Sequence, residues 1–291
     1  MQETSTTVSG VDSHAHVFLK DLPFTEGRRY APAYDASLAE YQSLLEAHGM
    51  SHGVLIQPSF LGTDNSYLIA CLDRYPEQFR GVVVLDPETG LTLMDEYHAK
   101  GVVGIRANLI GKSLPDFAGP AWRVMFERMR TLDWHLEVQI EADRLADISH
   151  VVLHSGVRLV VDHFGRLDPL LGIQDPGLQS LLNLGKTQNQ YAQRVWVKIS
   201  GAYRVSPREG EMVGGKLTDR RIIIDTAHAA YALLKDAYGT DGLVWGSDWP
   251  HTTYENTENF DSACAAFADI VMEPADRHAL LVSTPRALFG F

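Results

Sequence analysis

The chain has 291 residues, with 25 Lys and Arg against 37 Asp and Glu, a formal net charge of −12, 45% hydrophobic residues and 21% charged ones. This is the composition of a packed globular protein and excludes global disorder, while the acidic balance argues against a surface made for nucleic acid or anionic membrane. No apolar run approaches the ~20 residues of a membrane span, residues 1–10 lack the apolar core of a secretory signal, and the two cysteines, Cys71 and Cys264, are too few for a disulfide framework and read as buried small hydrophobes in a cytoplasmic protein.

Along the chain, eight short β-rich runs alternate with helix-like segments. The first run, 11–17, is followed by an insertion at 19–35 and a helical pattern at Leu38, Tyr41, Leu45 and His48. The second, 53–57, leads through Ser59 to Asp64, which can cap a helix holding Leu68, Cys71, Leu72 and Tyr75. Runs at 81–85 and 102–107 precede an insertion at 111–120 and a helix of Trp122, Met125, Phe126 and Met129. Runs at 135–140, 157–161 and 195–199 follow, then an insertion at 204–219 and a helix through Ile223, Ala227, Ala230, Tyr231 and Leu234. The eighth run is 243–246, and two more helices are expected from Asn259 onward.

The runs are continuously apolar, as strands covered on both faces require. Eight βα units over this length predict an α/β protein, a single-domain (β/α)8 TIM barrel over 1–291 with a flexible tail at 1–9. The rival, a doubly wound sheet, lacks a G-x-G-x-x-G after its first strand. Each insertion follows a predicted strand and so belongs on the active face; 204–219, with Pro207, Gly210, Gly214 and Gly215, is the candidate mobile lid.

Polar residues stand where these apolar strands stop. His14 and His16, two apart on the first strand, project to one side. His163 ends the sixth strand, and Asp248 follows the eighth in Gly246-Ser247-Asp248-Trp249-Pro250-His251. The C-terminal ends of barrel strands converge, so one carboxylate and three imidazoles meet in one mouth. Arg106 ends the fourth strand and Arg204 lies after the seventh; a guanidinium in a cleft suits capture of a carboxylate. Ser59 can donate to a ligand, and Lys112 can add a cation.

These residues resemble the amidohydrolase superfamily, amidohydrolase 2 type. The stretch Val11-Asp12-Ser13-His14-Ala15-His16 is similar to its first-strand H-x-H motif, and Asp248 to its eighth-strand aspartate. Gly62-Thr63-Asp64-Asn65, Gly104-Ile105-Arg106, Val161-Asp162-His163-Phe164-Gly165-Arg166 and Trp245 to His251 resemble the metal-independent branch of pyrone-dicarboxylate lactonases. The resemblance implies an amidohydrolase-type barrel that opens a carboxylated lactone. It implies His14, His16 and His163 around the lactone carbonyl, Asp248 activating water, and Arg106, Arg204, Ser59 and Tyr30 on substrate carboxylates. Lys112 stands where that branch has a further arginine, and Gln139 where it has a fifth-strand tyrosine. Both departures leave a sugar-lactone hydrolase or a lactone isomerase as alternatives.

No metal is expected to be required. Arg106 at the fourth-strand end would repel a second dication. One Zn²⁺ or other divalent ion on His14, His16 and Asp248 is the alternative, as in a mononuclear decarboxylase. The expected partner is a small carboxylated lactone. Asp248 would take a proton from the attacking water while the imidazoles donate to the oxyanion.

Overall fold

The computed structural model describes residues 7–191, 194–213 and 216–291. Residues 1–6 of the expected tail, and Gly214 and Gly215 of the candidate lid, lie outside the described residues. Eight parallel strands form one sheet in sequence order: β1 Val11–Ala15, β2 His52–Ile56, β3 Phe79–Val83, β4 Val102–Asn108, β5 His135–Gln139, β6 Arg158–Val161, β7 Val195–Ser200 and β8 Leu243–Gly246. The ring closes just above the last strand. Asp248 N donates to His14 O and His16 N to Trp249 O, both at 2.8 Å, and Ala15 bridges Trp249 in parallel.

Two side chains make this seam. Asp12 accepts from Ser247 N at 2.8 Å and Ser247 Oγ at 2.6 Å. Gly246 is required by close approach, since a Cβ there would lie 2.5 Å from His14 Cβ.

The connecting helices are α1 Leu38–Ala47, α2 Ser66–Arg74, α3 Met94–Ala99, α4 Pro120–Thr131, α5 Ala146–His154, α6 Pro176–Thr187 and α7 Arg220–Tyr238. Ser37, Asp175 and Asp219 cap α1, α6 and α7 through their side chains. The 3.6-residue period is realised as read: Leu38, Tyr41 and Leu45 are buried on α1, and Trp122, Met125, Phe126 and Met129 on α4. Beyond β8 the chain forms two helical stretches, as expected: α8 Phe260–Ile270 and an uninterrupted run from Pro274 to Phe289, in which α9 Pro274–His278 and α10 Thr284–Phe289 are joined by a π segment, Ala279–Ser283. Pro274 opens this run, since proline suits a first turn, and Pro285 falls directly after the π segment, where the α-helical pitch resumes.

Other boundaries shift by one or two residues: β3 begins at Phe79 and β1 ends at Ala15. Asp64 bonds Ser66 N at 3.1 Å from the position before the N-cap, which is Asn65. Cys71 is buried, whereas Cys264 is only half-buried. The 204–219 insertion carries a short antiparallel ribbon, Met212–Val213 with Lys216–Leu217.

The barrel interior has two layers. The floor is apolar: Val11, Val54, Ile56, Val82, Val160 and Val244 pack with Leu288 and Phe289 of α10. Above it the residues become charged. Arg106, Glu137, Asp162, Lys198 and His14 are all buried there, and the site stands on this layer. Among the described residues, no helix is long and apolar enough to cross a membrane.

Candidate active site

The four residues that the sequence places at strand ends meet. His14 Nε2 and His16 Nε2 are each 3.7 Å from Asp248 Oδ1, and His163 Nε2 is 4.0 Å from the same atom. Their supports come from different strands. His16 Nδ1 donates to Ile56 O at 2.7 Å, and His163 Nδ1 meets Ser200 Oγ at 2.9 Å. The turns that present them use left-handed backbone without glycine: φ is 49° at His163, 61° at Asp248 and 63° at His251. Such geometry costs about 1–3 kcal/mol per residue and gathers at functional sites.

Burial keeps the imidazoles neutral. It pushes His16 down to about 4, with help from the Arg106 charge, and His163 down to about 3. Burial and the Lys198 ammonium hold His14 well below the usual histidine range. Asp248 goes the other way for a carboxyl so deeply placed. Burial, the largest single cause, would raise it, but the Arg204 guanidinium and the three surrounding histidines together outweigh burial and hold it well below the carboxylate range. A neutral His16 whose Nδ1–H is spent on Ile56 presents a lone pair at Nε2, so it accepts where it was expected to donate.

A cavity of about 260 Å³ opens above Asp248 and His16. Arg29, Arg106, Arg166, Arg204 and Arg208 line it, against one carboxylate, Asp248. Ser59, Tyr30 and Gln139 line it too. Lys112 does not. It is exposed on the 111–120 loop, whose backbone is held by Arg144 Nη2 donating to Lys112 O at 2.7 Å.

The arginines are less free than the sequence suggested. Arg106 donates to Asp162 Oδ2 from Nη2 at 2.9 Å and from Nε at 3.3 Å, and to Gln57 O from Nη1 at 3.3 Å. Arg204 Nε donates to Asp248 Oδ2 at 2.7 Å, and its Nη2 to Thr252 O at 3.3 Å. Tyr30 OH donates to Glu255 Oε1, which ties the first insertion to the segment after β8.

Sequence reading missed the residues around this centre. Tyr203 OH donates to Asp248 Oδ2 at 2.6 Å. Arg166 faces the cavity with its Nε unpartnered. Below His14, Lys198 Nζ lies 2.5 Å from Glu137 Oε2 and 3.2 Å from His14 Nδ1, while Asp162 Oδ1 is 3.3 Å from the same nitrogen. Burial and the Asp162 charge lift Glu137 to about 7. A signal for these residues exists: Glu137 and Gln139, or Lys198 and Ser200, share one face of strands whose other face is Leu136, Val138, Val197 and Ile199.

Nitrogen and oxygen atoms of His14, His16 and Asp248 lie within 4.8 Å of one another, a spacing that suits one divalent ion, and His14, Asp162 and His163 form a second such group. The His16 lone pair suits a metal. The surrounding guanidiniums, and Arg204 and Tyr203 on the other Asp248 oxygen, oppose a second ion.

A family model described as Amidohydrolase matches residues 11–291. A Pseudomonas putida structure, provisionally assigned as a 2-pyrone-4,6-dicarboxylic acid hydrolase, is 40% identical, with a TM-score of 0.86 over 98% of each chain. An Acinetobacter baumannii structure with the same provisional assignment holds citric acid; it is 34% identical, with a TM-score of 0.87 over 97% of this chain and 99% of that one. The 4-sulfomuconolactone hydrolase of Rhizobium radiobacter is 29% identical over 96% of this chain and 89% of its own length.

Proposed function

The chain belongs to the amidohydrolase family, and from that premise we propose that it is a lactone hydrolase: it opens a carboxylated ring of the 2-pyrone-4,6-dicarboxylate class with water activated by Asp248, without requiring a metal. One observation carries the reading. Asp248 Oδ1 faces three imidazoles at 3.7–4.0 Å beneath a cavity lined by five arginines. The relatives add support, since their names are those of enzymes acting on anionic lactones, and one structure holds a tricarboxylate in the same fold.

In this reading a lactone is an internal ester whose carboxylates dock on the arginines. Arg166 and Arg204 hold the ring over Asp248, which converts binding energy into orientation. Asp248 Oδ1 accepts a proton from water as the water oxygen bonds to the carbonyl carbon. His14 and His163 donate to the growing oxyanion, and His16 accepts from a neighbouring donor. The C–O ring bond then breaks, and Asp248 returns the proton to the leaving oxygen. A carboxylate held so low is a weak base by itself. A substrate carboxylate on Arg204 shares the guanidinium charge and lets the basicity of Asp248 rise. If a divalent ion were held, His14, His16 and Asp248 would hold it, and it would polarise the carbonyl as a Lewis acid.

The test is a panel of pyrone dicarboxylate, muconolactones and aldarolactones offered to chelated protein, with ring opening followed by absorbance and acid release. Hydrolysis of at least one carboxylated lactone is expected. Turnover confined to sugar lactones, or conversion to an isomeric lactone, would replace this reading with the sugar-lactone hydrolase or isomerase. Decarboxylation dependent on added metal would replace it with the lyase.

A further inference from the structure

We propose that Lys198 is a positioning residue that fixes the tautomer of His14, making His14 Nε2 a hydrogen-bond donor to the reacting carbonyl and not a lone-pair ligand for a metal. The role of that donor rests on the hydrolytic reading above; the tautomer does not.

Lys198 projects from β7 into the barrel and is fully buried. Its Nζ lies 2.5 Å from Glu137 Oε2 and 3.9 Å from Asp162 Oδ1, so the amine faces two carboxylates. An ammonium only donates. At 3.2 Å from His14 Nδ1 it leaves that nitrogen as the acceptor, so the imidazole proton resides on Nε2. The next contact agrees. His14 Nε2 is 3.3 Å from His16 Nε2, and His16 carries its own proton on Nδ1, committed to Ile56 O. Without substrate the bonds therefore run in one direction, from Lys198 through His14 and His16 to a main-chain carbonyl, and a lactone carbonyl would replace His16 as the acceptor of the one His14 Nε2–H.

Asp162 is the competitor. Its Oδ1 lies 3.3 Å from His14 Nδ1 and would favour the opposite tautomer. That oxygen has no hydrogen-bond partner, while Oδ2 is held by Arg106. Removing the ammonium gives Nδ1 to Asp162 and moves the proton off Nε2. His14 Nε2, His16 Nε2 and Asp248 would then offer three ligands to one ion. A single buried lysine thus decides whether the first-strand pair works on a carbonyl or on a cation.

The experiment uses ¹⁵N-histidine-labelled, chelated full-length protein. Long-range ¹H–¹⁵N correlations report which nitrogen of each ring is protonated, and the signal lost in His14→Asn assigns His14. The expected result is His14 protonated on Nε2. Protonation on Nδ1 in the unmodified chain overturns the proposal, whatever the turnover. Lys198→Met combined with Glu137→Met removes both charges and leaves no lone buried ion. In that variant the His14 proton is expected on Nδ1, zinc binding by titration calorimetry should tighten, and kcat on the best lactone should fall about 10²–10³-fold. An unchanged tautomer together with unchanged zinc affinity would refute the role of Lys198. A chain that hydrolyses no lactone but shows His14 protonated on Nε2 sinks the hydrolytic reading alone.

Discussion

Arg204 holds Asp248 by one oxygen. Its Nε donates to Oδ2 at 2.7 Å, and Oδ1 stays turned toward the three imidazoles at 3.7–4.0 Å. The carboxylate is thereby divided into an anchored half and a working half. Asp248→Asn keeps the shape and loses the base. We expect kcat to fall about 10²–10⁴-fold, with calorimetric binding of a non-hydrolysable tricarboxylate such as citrate changed only a few-fold. Wild-type turnover in this variant would remove Asp248 from the mechanism.

The arginines should separate into two kinetic classes. Arg166 faces the cavity with Nε unpartnered, so Arg166→Met should raise KM roughly 10–100-fold, the scale of one charged hydrogen bond, with kcat nearly unchanged. Arg204 also positions Asp248, so Arg204→Met should raise KM and lower kcat together. Steady-state kinetics on one carboxylated lactone decides it; identical patterns would mean that the Arg204–Asp248 contact has no catalytic role.

Acid should weaken the fold before it stops the chemistry. Burial holds six histidines, His14, His16, His52, His135, His163 and His251, below their ordinary value. The unfolded chain takes up their protons once the pH drops below 6.5, so stability is lost from there down to about 4 for His16 and His251 and about 3 for His163. Asp12 and Glu137, raised by burial to about 6 and about 7, act in the opposite sense and gain stability as they protonate. Six groups against two leave a net loss. Thermal melts should therefore show Tm falling steadily between pH about 6.5 and 4.5. The kcat profile should lack an acid limb near the ordinary histidine pKa of about 6.5. A Tm that rises on acidification would contradict the neutral buried histidines.

Dialysis against a chelator should leave kcat unchanged, with metal content followed by elemental analysis. Arginines dominate the cavity, and their charge opposes cation retention. Activity that tracks bound zinc would favour the mononuclear alternative.

Gly246→Ala tests the barrel seam. The added methyl would lie 2.5 Å from His14 Cβ and 2.7 Å from His14 N, both on β1 and unable to yield without opening the ring. Overpacking of this kind costs about 1–3 kcal/mol. Tm should fall by several degrees and kcat should drop with it, because His14 shifts. A fully active, equally stable variant would show that the seam is looser than these distances require.

Several features were legible because they depend on local repetition. The period of the α1 and α4 residues, the continuous apolar strands and the polar residue at each strand end are all written in the order of the chain. They suffice to place His14, His16, His163 and Asp248 at one mouth. Strand parity also contained the Glu137 and Lys198 signal, but parity by itself does not say which face of a strand looks into the barrel. Arg166 stood inside a motif already singled out, three residues after His163, and only the left-handed turn at Phe164 and Arg166 shows where its side chain goes.

The amino-acid order thus determined the barrel, its direction and the residues available at its mouth, since hydrophobic period and strand ends are properties of neighbours in sequence. Tertiary structure alone decided which charges pair: Arg204 with Asp248, Arg106 with Asp162, and Lys198 with Glu137 and His14. It also left Lys112 exposed and outside the cavity lining, and left a lone pair on His16. The reason is physical. Ion pairing and proton placement depend on distances of a few ångströms between segments tens to hundreds of residues apart, and those distances exist only once the ring has closed.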